Sequence, residues 1–126
     1  MKKILVPLAE GFEEIEAITI IDLLRRAGAE VVVASLEKRN VQGSHGLKVI
    51  ADTVLDEILD DNFEMIVLPG GVPGAPNLMG DARIIKLLKD QATANKTSAA
   101  ICAAPAVLEE AGLTIDKRIT SHPAWA

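Results

Sequence analysis

Four short aliphatic runs constrain this chain more than any other feature. Lys3-Ile4-Leu5-Val6-Pro7, Glu30-Val31-Val32-Val33-Ala34-Ser35, Phe63 to Leu68 and Thr97 to Ile101 are each dominated by apolar or small residues, and Pro69-Gly70-Gly71 stops the third. Runs of this length without polar alternation read as strands buried on both faces. Between the first two, Glu14 to Ala27 carries Ile15, Ile18, Leu23 and Leu24 at helical spacing, with Gly28 as its C-terminal cap. After the third, Asp81 is an N-cap for a helix running to about Ala94, with Ile84, Ile85, Leu87 and Leu88 on its inner side. Pro105 to Ala111 reads as a helix ending at Gly112, proline being tolerated in its first turn. Val41 to Ala51, broken by Gly43 and Gly46, reads as a small hairpin or an edge strand pair, and Ile119-Thr120 as the start of another strand. Strands alternating with helices predict a doubly wound α/β fold with a parallel sheet, in which sites form at the carboxyl ends of the strands.

At 126 residues the chain is expected to be a single domain, 1–126, with one core. Hydrophobic residues reach 49% while aromatics are only 2%, so that core must be built from Ala, Val, Ile and Leu. A net charge of −5 offers no basic footprint for nucleic acid. One cysteine cannot form an internal disulfide, which points to a reducing compartment, the cytoplasm. The N-terminal apolar run is too short for a secretion signal, acidic residues follow at once, and no stretch is long enough to span a bilayer.

The strand-end rule sorts the candidate residues. EGFEEIE follows the first strand, PGGVPGAPN the third, CAAP the fourth and SHP the possible fifth, so all four should converge on one edge. A free intracellular cysteine is commonly a small buried hydrophobe. A strand-to-helix turn instead exposes Cys102 and sets it near helix-terminal N–H groups that favour thiolate, and this position favours a reactive thiol. Glu13 and Glu14 read as compensation of the helix dipole. Glu16 stands amid Ile15, Ala17 and Ile18, where a carboxyl either is solvated or is held protonated and donates a hydrogen bond. Gly70-Gly71 either merely ends a strand or turns backbone N–H groups toward a ligand, the geometry of an oxyanion hole. With Gly74 it lacks the spacing of a nucleotide-binding loop. His122 is a surface residue unless it lies within hydrogen-bond reach of Cys102. His45, in a Gly-Ser-His-Gly turn, reads as solvated, and so few ligands leave no metal site expected.

Taken in order, KILVPLAEGFEEIEA, RRAGAEVVVAS, MIVLPGGVPGAPNL, AAICAAP and ITSHPA resemble the ThiJ/PfpI superfamily, in its branch of small deglycase- and chaperone-like proteins. The resemblance covers essentially the whole chain. It implies a flavodoxin-like fold, a mostly parallel sheet sandwiched by helices, with Cys102 as nucleophile. It implies Glu16 as the carboxyl bonded to the sulfur, Gly71 with the N–H groups at Cys102 and Ala103 as the oxyanion pocket, and His122 as the histidine near the thiol. Ala103 replaces the histidine that follows the cysteine in the protease-like branch, which argues against peptidase activity. Domains of this family continue beyond the His-Pro step, so the C-terminal part of the domain is expected to be absent, with completion by another polypeptide or a partner subunit. A homodimer is likewise implied.

The function expected from these residues is a cofactor-independent glyoxalase or deglycase. Its Cys102 thiolate adds to a small aldehyde or dicarbonyl such as methylglyoxal, or to an early adduct, and the product is a 2-hydroxy acid. The alternatives are a redox-sensing, chaperone-like stress protein that oxidises Cys102, and an inactive fragment.

Overall fold

The computed structural model describes residues 2–125. Its first strand, β1 (Lys3–Leu8), is buried from Ile4 to Leu8, as a strand covered on both faces must be. Helix α1 (Glu14–Arg26) follows, then β2 (Glu30–Ser35), the short strands β3 (Asn40–Gln42), β4 (Lys48–Ile50) and β5 (Thr53–Val54), a 3₁₀ turn at Leu55–Glu57, and β6 (Met65–Leu68). Helices α2 (Gly74–Met79) and α3 (Ala82–Thr93), strand β7 (Thr97–Ala100) and helix α4 (Pro105–Glu110) complete the order before a 3₁₀ turn at Pro123–Trp125. Among the described residues the main sheet runs β5-β2-β1-β6-β7, every pairing parallel. Strands β3 and β4 pair antiparallel in a hairpin of their own, Val41 opposite Val49.

Pleating divides the core. Leu5 joins Ile66, Leu68, Leu78, Ile84, Leu88 and Val107 in one cluster; Ile4, Val6 and Leu8 join Phe12, Ala17, Val31 and Val33 in the other. The chain leaves β1 for β2 on one side and reaches β6 on the other. That reversal opens a crevice at the carboxyl ends of β1 and β6, the place where α/β sheets bind ligands.

The α/β sandwich and its helix boundaries match the sequence expectation, down to Asp81 capping α3 through Arg83 N–H. Three details differ. Ile15 is 75% and Leu23 59% exposed, while the inner stripe of α1 is Ala17, Ile20, Ile21 and Leu24. The helix is apolar almost all round, so periodicity alone did not fix its phase. The stretch after Gly71, to which the sequence reading assigned no element, contains α2. Ile119-Thr120 forms no strand, because no described strand lies alongside to pair with it, and Ile119 is 53% exposed.

Candidate functional site

The last rung of the β6–β7 ladder is Ile101 N–H to Leu68 carbonyl at 3.3 Å, and Ala104 N–H then turns back to Ile101 carbonyl at 2.9 Å. Between these bonds sits Cys102 with φ 61, a left-handed conformation that a non-glycine residue adopts only when its surroundings impose it. The elbow holds a half-buried thiol past the carboxyl end of β7.

Gly70, the residue after Pro69 at the end of β6, lets three segments meet. A Cβ there would stand 2.6 Å from Glu16 Oε1, 2.9 Å from Cys102 Cβ and 2.9 Å from the Ile101 carbonyl oxygen, closer than atoms tolerate. The Gly70 N–H donates to Glu16 Oε1 at 2.9 Å, and its carbonyl accepts from Glu13 N–H at 3.0 Å. Glu16 is therefore held, half-buried, beside the elbow. Glu13 caps α1, its Oε1 accepting from Ile15 N–H at 2.6 Å.

The electrostatics correct the expectation of a thiolate stabilised by the elbow. Burial pushes the Cys102 thiol above its ordinary pKa, and the nearby Glu16 carboxylate adds to this. Glu13 contributes a smaller push in the same direction. The Ala103 N–H opposes them but is outweighed, one backbone dipole against two carboxylates and desolvation. The resting arrangement is a protonated sulfur beside a hydrogen-bond acceptor.

Gly71 lies at φ 106, and a Cβ would meet Glu13 N at 2.5 Å and Gly11 O at 2.6 Å, so only glycine fits. Among the described residues, the N–H groups of Gly71 and Cys102 donate to no backbone carbonyl outside the strands and helices. His122 reaches the site through its main chain, its N–H donating to the Cys102 carbonyl at 2.7 Å. Its imidazole is exposed, and Nδ1 accepts from Ala124 N–H at 3.1 Å. The three strand-end segments thus converge as their positions predict, and Ser121-His122-Pro123 joins them through its main chain although no described strand leads into it.

Two roles escaped the sequence reading, which took Gly70 as a strand stop or a source of N–H groups and Glu13 as a dipole counter-charge. Gly70 has the close approach that a paired glycine after a buried strand signals, and Glu13 adds charge to the thiol besides compensating the dipole. Cavities of about 490 Å³ at the ends of β1 and β2 and about 560 Å³ beside β3 and β4 are not lined by Cys102. Among the described residues no group of three His, Cys, Asp or Glu is placed to hold a metal, and no helix is long and apolar enough to cross a membrane.

The fold is one already seen. The solved structure of oxidized DJ-1 from Toxoplasma gondii aligns with a TM-score of 0.96 at 42% identity, covering 99% of this chain and 69% of that one. Protein DJ-1 homolog A of Arabidopsis thaliana is 46% identical over 123 residues, 96% of this chain and 31% of the plant protein. A deglycase of Thermococcus kodakarensis is 34% identical over 120 residues, 94% of this chain and 71% of the archaeal one. The chain thus spans less than a third of its plant relative and about seven tenths of the other two. The family model for DJ-1/PfpI matches residues 2–126, and with a backbone this similar to a DJ-1 structure the chain belongs to the DJ-1/PfpI family.

Proposed function

We propose that this chain carries a Cys102-dependent activity on small reactive dicarbonyls, or on their early adducts, that yields 2-hydroxy acids. The observation that carries it is the Cys102–Glu16 pair: the left-handed elbow and the carboxylate meet at Gly70, where one Cβ would touch both Glu16 Oε1 and Cys102 Cβ. A nucleophile made this way needs no low resting pKa, because the base removes the proton as the bond forms. The name of the archaeal deglycase relative supports the same class of chemistry.

With methylglyoxal the steps balance without oxidant or reductant. Sulfur adds to the aldehyde carbon while its proton passes to Glu16, and the carbonyl oxygen becomes an alkoxide near the N–H groups of Gly71, Cys102 and Ala103. The alkoxide takes up a proton. The hydrogen on the former aldehyde carbon then leaves as a proton and one is returned at the neighbouring carbon, while the hydroxyl proton passes from the first oxygen to the former ketone oxygen, with Glu16 or His122 as carrier. The result is a thioester of the 2-hydroxy acid. Water cleaves the thioester, releasing lactate and restoring the thiol. Overall one water is added and no cofactor is consumed. The site is expected to work in the cytoplasm, where a lone thiol stays reduced, and a homodimer is the assembly to look for by native mass.

A second reading is favoured by one observation, the oxidized state named for the Toxoplasma relative. Peroxide would convert the thiol to sulfenic acid and then sulfinic acid, one water leaving at each step. Lactate formation from methylglyoxal, measured beside Cys102→Ala, separates the two. Turnover that vanishes in the variant supports the enzyme; equal rates in both proteins sink it. Peptide mapping after mild peroxide tests the sensor, which fails if Cys102 gains no oxygen.

A further inference from the structure

We propose that Glu14 is a positioning residue for the Cys102 site: its carboxylate clamps the turn of the β3–β4 hairpin, and the clamped turn fixes the loop that sets Gly70 and Glu16 against the thiol. This goes beyond the catalytic reading and holds equally if the thiol serves as a sensor.

The carboxylate is saturated with partners. Oε2 accepts from His45 N–H at 2.7 Å and Leu47 N–H at 3.1 Å. Oε1 lies 3.1 Å from His45 Nδ1 and accepts from Ser44 Oγ at 3.4 Å. The side chain is only 12% exposed although it sits in the first turn of a surface helix. Gly43 shows how closely the turn wraps it, since a Cβ there would stand 2.5 Å from Glu14 Cδ and Oε2. Burial alone would raise the pKa of this carboxyl, but the Leu47, His45 and helix N–H groups and the His45 ring hold it at about 2. It therefore stays ionised well below the pH at which an ordinary glutamate takes up its proton.

From the turn a continuous set of main-chain bonds leads to the sulfur. Ser44 N–H donates to Phe12 carbonyl at 2.8 Å, and Gly11 N–H to Gln42 carbonyl at 2.9 Å. Gly11 carbonyl accepts from Gly74 N–H at 3.1 Å, and Glu13 N–H reaches Gly70 carbonyl at 3.0 Å. Gly70 then bonds Glu16 and packs against Cys102. A hairpin with three-residue strands does not hold itself in place. Here the buried anion does so, and the loop from Ala9 to Glu13 is gripped between the hairpin and the Gly70 segment.

The test reads the lone thiol directly. Iodoacetamide alkylation of Cys102 is followed against pH in the full chain for wild type, Glu14→Gln, Glu14→Ala and Gly43→Ala, with Arg83→Ala as a control. Arg83 binds Asp81, Asp56 and the Leu36 carbonyl, so its loss destabilises the fold without touching the clamp. The groups acting on the sulfur are Glu16, Glu13 and the Ala103 N–H, and none is altered. Releasing the loop admits water to a thiol whose pKa is raised chiefly by burial. The alkylation midpoint should then fall by about half a pH unit or more in the clamp variants, about threefold faster labelling at neutral pH. Arg83→Ala should keep the wild-type curve. Superimposable curves in folded Glu14→Gln and Gly43→Ala overturn the proposal, as does an equal shift in Arg83→Ala. If Glu14→Ala does not fold, the two milder variants decide alone.

Discussion

Cys102 and His122 are joined through their main chains, His122 N–H to Cys102 carbonyl at 2.7 Å, while the imidazole is engaged with Ala124. The histidine thus braces the elbow whatever its ring does. His122→Ala keeps that N–H, so it should lower lactate formation by less than about tenfold, where removing a true general base costs about 10²- to 10⁴-fold. His122→Pro removes the N–H and should cost more than the alanine change. Steady-state rates of the two variants check the order; a hundredfold loss in His122→Ala would make the ring the base.

Glu16→Gln should separate two properties that usually move together. Glu16 raises the thiol pKa through its nearby charge, so its neutral amide lets the Cys102 pKa fall. More thiolate then exists at neutral pH, and alkylation speeds up. Turnover should nevertheless drop at least about tenfold, because the proton has lost its carrier. Parallel alkylation and lactate assays check this; alkylation that slows would show that the carboxyl acts instead as a proton donor to the sulfur.

Gly70 carries the geometry of both groups. Gly70→Ala puts a methyl 2.6 Å from Glu16 Oε1 and 2.9 Å from Cys102 Cβ, and neither the helix nor the elbow can retreat freely. Overpacking of this kind costs about 1–3 kcal/mol, and activity should fall with the displaced Glu16. Urea unfolding midpoints give the first quantity. Unchanged stability and turnover would mean that the two segments are loosely held.

The strand-end site was largely legible because parallel strands announce themselves as aliphatic runs and their C-terminal loops must then share one edge. Position alone put Cys102, Glu16 and Gly70-Gly71 at that edge; the roles expected of Glu16 and Gly71 came from the family resemblance. The balance of forces on the thiol did not. It depends on Glu16 turning inward, and a helix carrying apolar residues at 15, 17, 18, 20, 21, 23 and 24 leaves that phase open. Gly70–Glu16 contact sets it, a pairing of residues 54 apart that no local pattern encodes. The role of Glu14 was hidden for the same reason. An acid in the first turn of a helix satisfies the dipole rule, and nothing nearby in sequence shows that a turn some 30 residues on folds over it.

That buried anion makes a final prediction about acid. Glu14 has a folded pKa of about 2 against an ordinary 4.5, so the folded state favours its charged form. A depressed carboxyl contributes stability that is fully present above the unfolded value and is lost as pH falls through the folded one. Wild type should therefore unfold at higher urea than Glu14→Gln at neutral pH, and the gap should hold down to about pH 5. Between 4.5 and about 2 it should close, as the wild-type carboxyl takes up its proton and comes to resemble the amide. Urea midpoints of both proteins across that range check the sign. A gap that persists undiminished at the acid end would mean that the clamp works through shape alone, without the charge.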